Sequence, residues 1–577
     1  MIKRNLIITA FIIFSLLPLT AQVKKQETGI RREVTLYNPY KPSLPETKKK
    51  SFLPDMKDTM KIKPDFRYDI RTKPFSPVYT ISPIKAASLL PDPLPKLYKS
   101  FVNIGVGNYF TPLAEISITN ERSRKGTLGF YGRHFSTNGK VELDNGDKVF
   151  AGYMDNDASL FGRKFFRKSL FESNLDFTQK TRYAYGYAPI TADYSPDKKD
   201  IRMGYMNFGG KVSLSSLTLD STSFAYDFDM YYNYFYNVEN LFQHNFGING
   251  IMAKSYKGFY LGSGMTFDYY KSADSISTDP DYIISVSPFM KKTTEQWNFK
   301  FGLQVLTDRS WNLHVYPDLA FGFNIVPSYV TFFSSLSGKL ERNNPLKIIS
   351  DNPYLVSTQF PDFVPNGSLF RLPDTDHKMI ITAGLKGNTG LTGSYLVSAS
   401  YSQISSMLFY SNLVSPVTVV PVAHGNYFLP IEDEVNLFNI HAEMSEALSD
   451  KITINGIANY YNYDTGIEYA WNKPDWDGKL GLKYNLRDKI IAGMELTAIG
   501  KRKLVVNGDE LSSQAFYTKE IVDMSTHFNL SLNAEYRYSK ILSFWTKFDN
   551  ITYKRYYEWA YYPSQRFLMM IGFTYSL

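Results

Sequence analysis

The sequence predicts an all-β chain, a transmembrane antiparallel β-barrel of about 22 strands (range about 16 to 22) behind a Pro-rich N-terminal periplasmic tail. Three observations predict it. Apolar and polar residues alternate with period two over most of the chain. Short and long connections alternate along it. Beyond the N-terminus, no apolar run approaches the ~18 residues of a membrane helix.

The alternation is plainest near the C-terminal end. Phe528, Leu530, Leu532, Ala534, Tyr536 and Tyr538 share one parity, and His527, Asn529, Ser531, Asn533, Glu535 and Arg537 the other. Successive strand side chains point to opposite faces, so this strand has one greasy and one wet face. The last strand repeats the pattern, with Phe567, Met569, Ile571, Phe573, Tyr575 and Leu577 against Gly572, Thr574 and Ser576. Its greasy face is expected to meet lipid, and its polar face to line a wet interior. The same alternation runs through Val102–Val106, Phe224–Tyr234, Phe259–Tyr269, Leu480–Tyr484 and Ala492–Ala498, with Gly and small polar residues recurring on the wet parity.

Composition agrees. The chain has 44 Tyr and 42 Phe among 577 residues and no Cys. Such an aromatic excess without long apolar spans suits strands that end in interfacial girdles. The absence of Cys excludes a disulfide scaffold and a lipoprotein anchor. At the N-terminus, Lys3 and Arg4 precede the apolar run Leu6–Leu19, which ends at Thr20-Ala21. This reads as a secretory signal, residues 1–21, cut after Ala21; the run is short for a membrane anchor.

The formal charge of +9 is unevenly spread. Residues 22–98 hold 16 Lys or Arg against 8 Asp or Glu, and the signal adds two more cations. Residues 99–577 are therefore left at a net of −1. The basicity belongs to the tail, and no basic helix or recognition motif accompanies it, so nucleic acid is excluded as a partner. Residues 22–98 also carry eleven prolines, ending in Pro91-Asp92-Pro93-Leu94-Pro95. Proline at this density blocks helix and sheet ladders, and a non-globular periplasmic tail is expected.

From Ser100 the turn signals organise the barrel, residues 99–577. Short connections are expected at Arg167-Lys168, Leu219-Asp220-Ser221, Tyr256-Lys257-Gly258, Gly387-Asn388-Thr389-Gly390, Leu448-Ser449-Asp450, Arg487-Asp488 and Ser539-Lys540. Longer polar loops fall near 137–153, 183–200, 272–281, 342–376, 464–477, 502–523 and 553–566. Short periplasmic turns and long outer loops mark outer-membrane barrels. The hairpins near 100–125 and 391–430 can be divided in more than one way.

The run Phe544-Trp545-Thr546-Lys547-Phe548-Asp549-Asn550, continuing to Glu558, with Pro563 and the final strand Phe567–Leu577, resembles the closing hairpin of TonB-dependent receptor barrels. Leu97–Tyr109, Leu313–Asp318, Glu341-Arg342-Asn343-Asn344 and Asn352-Pro353-Tyr354 are similar to stretches of TonB-dependent receptor-like barrels of Bacteroidota. The resemblance implies an outer-membrane location and passage of solute. Receptors of that family place a folded plug before the barrel, and residues 22–98 are too few and too proline-rich for one. Glu33-Val34-Thr35-Leu36 is similar to the family's energy-coupling box and is the candidate coupling segment.

No catalytic constellation stands out. The histidines, His134, His244, His314, His377, His424, His441 and His527, are scattered without a paired motif, so no enzyme activity and no cofactor are expected. Asp144-Asn145-Gly146-Asp147, Asp279-Pro280-Asp281 and Asp475-Trp476-Asp477-Gly478 offer oxygen ligands for Ca²⁺ and read equally as turns. The loop Arg342–Leu372 is long enough to fold inward or cap the pore. Two functions stand open: a plugless solute channel, or a non-conducting scaffold binding envelope partners through tail and loops. Outer-membrane lipid and lipopolysaccharide are expected around the wall in either case, with periplasmic or outer-membrane proteins as further partners.

Overall fold

The structure, a computed structural model, describes residues 98–577 apart from 121–124, 189–195, 218–223, 239, 274–277, 309, 356–371, 415–423 and 508–518. The expected signal, the tail with its Glu33–Leu36 segment, and the turn at Leu219-Asp220-Ser221 lie outside the described residues.

Twenty-two strands form a closed antiparallel ring. Each pairs with the next in sequence. The first, Ser100–Gly107, pairs with the last, Leu568–Ser576, setting Ile104 opposite Phe573. Closure leaves no free edge in the wall, which hydrocarbon requires because it offers backbone groups no partner. Among the described residues, no helix is long and apolar enough to cross a membrane.

Where they are described, the short connections expected from the sequence all lie at one end of the ring, while at the other end residues 108–110 alone join the first two strands. Lys257 and Gly258 both take positive φ (48° and 80°), as do Arg487 and Asp488 (51° and 55°). Two successive positive φ values give the tight turn whose twist matches a hairpin. Ser100 and Leu577 meet at this same end, where the Ser100 amide donates to the Leu577 carbonyl at 3.1 Å. The long loops all emerge at the opposite end. In outer-membrane barrels the short-turn end is the periplasmic one and the long-loop end faces outward. The expected loop near 272–281 is shorter than its composition suggested, because the next strand starts at Thr278 and carries Asp279-Pro280-Asp281 within its pairing.

The parity expected of each strand is observed. Phe301 is 62% exposed and Ile571 53%, and among the described residues no second sheet or helix covers that face. Side chains of this size left bare around a whole ring fit a lipid environment, not water.

A closed outer mouth over a polar lumen: the candidate functional site

The inward parity builds ladders of opposite charge. Arg133 reaches Glu115 at 3.2 Å and Asp157 at 3.6 Å on the strands either side of it. Arg163 pairs with Glu172 at 2.7 Å, Lys211 with Asp229 at 3.0 Å and Lys479 with Glu495 at 2.8 Å. Lys300 pairs with Asp318. Cross-strand neighbours of opposite sign neutralise each other on a face that cannot be apolar if water fills the interior. The inward glycines serve a second purpose that their small size alone did not reveal. A Cβ at Gly129 would overlap Phe161, one at Gly247 would overlap Tyr231, and one at Gly105 or Gly572 would overlap Trp545. Aromatic rings lie flat on the wall where those side chains are missing.

Above this lumen the wall is uneven. The strands Gly393–Val414 and His424–Ala447 are the longest of the ring. Their outer neighbours stop at the level of Ser405, opposite Asp376, and of Val435, opposite Thr465. Residues 406–414 and 424–434 therefore rise past the rim as a hairpin, about 30 Å long at ~3.3 Å per residue. A register shift between Ile404 and Met407, with Ser406 at φ 55°, bends the hairpin where it leaves the wall. Its sequence drops the alternation. Met407-Leu408-Phe409-Tyr410 and Phe428-Leu429 place apolar side chains on both faces, and both faces are buried.

Loops from other parts of the ring cover it. The loop after Glu341 opens a short helix, α1 (Pro345–Asp351), capped by Asn344, whose side chain accepts the Lys347 amide at 2.9 Å. Ile348 of α1 is fully buried, and the chain beyond bridges to the hairpin, with the Phe428 amide donating to the Tyr354 carbonyl at 2.9 Å. From the loop after Tyr183, the Ala188 amide donates to the His424 carbonyl at 2.8 Å, and Asn426 donates to the Ala184 carbonyl at 3.2 Å. The small hairpin of Arg502–Val506 and Glu520–Met524 runs beside Ser411 and Asn412. From the loop after Asp549, Tyr562 stacks on Tyr354 at 4.0 Å and donates to the Asn426 carbonyl.

Chain order is ring order, so these contacts fix where the loops lie. The loop after Tyr183 follows the fifth strand, and the hairpin joins the fifteenth and sixteenth of twenty-two. Their roots stand nearly opposite. Contact between them requires the loops to cross the mouth, and the apolar core of Ile348, Tyr354, Leu355, Leu408, Phe428, Leu429 and Tyr562 sits at that crossing. The Arg342–Leu372 loop, which sequence left free to cap or fold inward, contributes α1, Tyr354 and Leu355 to this cap.

Polar contacts tie the cap to the rim. Arg342 bonds Asp374 at 2.9 Å and pairs with Asp281, while its guanidinium lies 5.0 Å from the centre of the Tyr270 ring. Asp144 accepts from Arg555 at 2.6 Å and from Tyr557, and Asp147 accepts from Tyr187 at 2.9 Å. Asp477 accepts from Asn459 at 2.9 Å. The acidic turns considered for Ca²⁺ thus spend carboxylates on loop-to-loop and strand-to-strand bonds. No group of three or more His, Asp or Glu able to hold a metal occurs among the described residues. His527 faces inward and stacks on Tyr556 at 4.5 Å. Burial, with Asp549 and Glu558 nearby, pushes the Tyr556 hydroxyl up to about 12. Burial, with Glu520 and Asp144 nearby, does the same to Tyr561. Burial likewise holds Lys473 below the usual lysine range.

No protein-family model and no curated sequence matches the chain. Solved structures do. The siderophore receptor PirA from Acinetobacter baumannii superposes with a TM-score of 0.63 at 10% identity, over 84% of this chain and 81% of the receptor. The FrpB iron transporter from Neisseria meningitidis gives 0.62 at 10%, over 84% and 82%. The copper transporter OprC gives 0.59 at 12%, over 84% and 82%. The fold is that of TonB-dependent receptor barrels. At such identities the likeness speaks for the barrel architecture and not for an activity or a solute.

Proposed function

We propose that this chain is an outer-membrane barrel for solute passage, related to TonB-dependent receptors and closed at its outer mouth by its own loops instead of a folded plug. One observation supports this reading above the others: the loop after Tyr183 and the hairpin 406–434, rooted on opposite sides of the ring, meet over a lumen lined with paired charges. A wide barrel left open would leak, and a loop cap meets that need from outside. The tail, with Glu33–Leu36 as its candidate coupling segment, is then free to serve on the periplasmic side.

A second reading, a non-conducting scaffold in an envelope assembly, draws support from the cap's packing. Phe409, Phe428, Leu504 and Val505 are fully buried, as in a domain core rather than a loose lid. Planar-bilayer recordings separate the two. We expect the full chain to be nearly silent, and a chain with residues 408–429 replaced by a two-residue turn to conduct steadily. Removal of residues 22–98 reports the tail's part. Silence of the shortened chain, with heat-modifiable migration intact and envelope proteins co-purifying, would leave the scaffold reading standing.

A further inference from the structure

Two groups of lysines on this barrel contrast. Lys211, Lys300 and Lys479 point into the lumen, and each meets a carboxylate. Lys164, Lys254, Lys257 and Lys292 lie at the periplasmic end, and none forms an ion pair with a described residue. The register puts Lys164, Lys254 and Lys292 on the lipid-facing parity, in line with Leu160, Met252 and Met290, and Lys257 sits in the turn that follows Tyr256. Each ammonium is held over aromatic rings instead. Lys164 lies 5.3 Å from the Phe166 ring centre, Lys254 4.9 Å from Phe224, and Lys257 5.2 Å from Tyr256. Lys292 lies 4.7 Å from Phe259 and 5.7 Å from Trp297.

These four lysines are contiguous; a further one, Lys489, lies 5.2 Å from the Tyr536 ring centre on the facing arc and differs in donating to the Tyr538 carbonyl at 2.9 Å. The four occupy the stretch of wall from Tyr153–Phe165 to Trp297–Thr307, eight successive strands of the ring. Exposed Arg167 and Lys168 add to them, and Glu295 is the one carboxylate on the described turns of this arc. Around the rest of the periplasmic rim the turn tips include bare apolar side chains, Ile325, Val326, Tyr329, Leu391 and Leu448. A long lysine stem lies along apolar wall and lifts its charge to the interface, where a ring face steadies it. An ammonium with no protein counter-ion at that depth needs one from the bilayer.

We propose that this crescent binds the anionic headgroups of glycerophospholipids in the periplasmic leaflet, with the aromatic rings seating the glycerol and acyl region beneath each phosphate. The surface lies on the lipid side of the wall at headgroup height, and its charge complements a phosphodiester, so lipid is the occupant it fits. Juxtamembrane Lys or Arg contributes about 1 kcal/mol each toward anionic lipid, a roughly five-fold change in binding.

The test is native mass spectrometry of the full chain with equal dioleoyl-phosphatidylglycerol and dioleoyl-phosphatidylethanolamine. The wild type should retain phosphatidylglycerol preferentially, and 0.5 M salt should displace it. The variant K164Q/K254Q/K257Q/K292Q should lose at least about ten-fold of that retention. The variant K451Q/R487Q/K540Q, on the facing arc, should stay within about two-fold of wild type. Trp297→Leu, which keeps every charge, should lose a few-fold, and it stands in should the four-site variant not fold. Equal retention of both lipids, equal loss in both charge variants, or an acidic protein bound there in place of lipid would overturn the proposal.

Discussion

The indole of Trp545 lies across Gly105, two strands away, on the inner face of the seam where the ring closes. It passes over Gly572 on the strand between, and its N–H donates to Asn103 at 2.6 Å. Each member of the group explains the others. Two glycines leave a shallow trough, and the ring fills it while staying hydrogen-bonded.

Trp545→Ala should therefore loosen closure more than a substitution elsewhere on the inner wall. Loss of the ring and its contacts costs about 2–4 kcal/mol. Gly105→Val should cost a similar amount, because its side chain and the indole claim the same space. Urea titration followed by the folded-to-unfolded gel shift reads both. The double variant W545A/G105V should be no worse than either single one, since removing the ring makes room for the valine.

Most of the barrel was legible from residue order. Strand parity, the strand number and the sorting of short from long connections follow from period two and turn chemistry, which need only near neighbours. The cap was not legible, because its partners lie far apart in sequence: Tyr562 meets Tyr354, and Ala188 meets His424. One local signal existed. Met407–Tyr410, Phe428-Leu429 and Leu504-Val505-Val506 break the alternation with consecutive apolar residues, the mark of chain buried on both faces. Their occurrence beyond the rim, instead of inside the wall, announces packing among loops.

Arg342 should anchor the cap to the rim. Its side chain is largely buried between Asp374 and Asp281. Arg342→Ala leaves both carboxylates without it, a loss on the order of 3 kcal/mol. That cost falls on the loop before it falls on the ring. Trypsin cleavage after Lys347 should accelerate at least ten-fold in folded protein, while the gel shift of the barrel stays unchanged. Arg342→Lys should restore only part, because one ammonium cannot hold two carboxylates in a fixed fork.

A covalent lock should hold the mouth shut. Ser411 and Val505 are register partners between the protruding hairpin and the strand Arg502–Val506, and the chain has no cysteine to compete. Oxidised S411C/V505C should show fewer bilayer openings than wild type and a lower rate of solute entry. Dithiothreitol should return both to the wild-type level. Unchanged openings in the oxidised form would place the passage elsewhere than under this hairpin.

Alkali should open the cap before it unfolds the ring. Tyr556 and Tyr561 sit in the cap with hydroxyls pushed up to about 12, and burial also holds Tyr185 well above the usual tyrosine value. In a released loop each ionises near 10. A group whose pKa is raised by folding contributes stability that is complete below the unfolded value and lost as pH climbs through the folded one. The window for the cap therefore runs from about pH 10 to about 12. The ring, held by the continuous ladder of its strands, has no such dependence on buried hydroxyls in the cap. Bilayer conductance and cleavage of the long loops should both rise across that window, and the gel shift of the folded barrel should persist. Replacing Tyr556 and Tyr561 by Phe should remove part of the rise, because a side chain that cannot ionise does not favour the released loop at high pH.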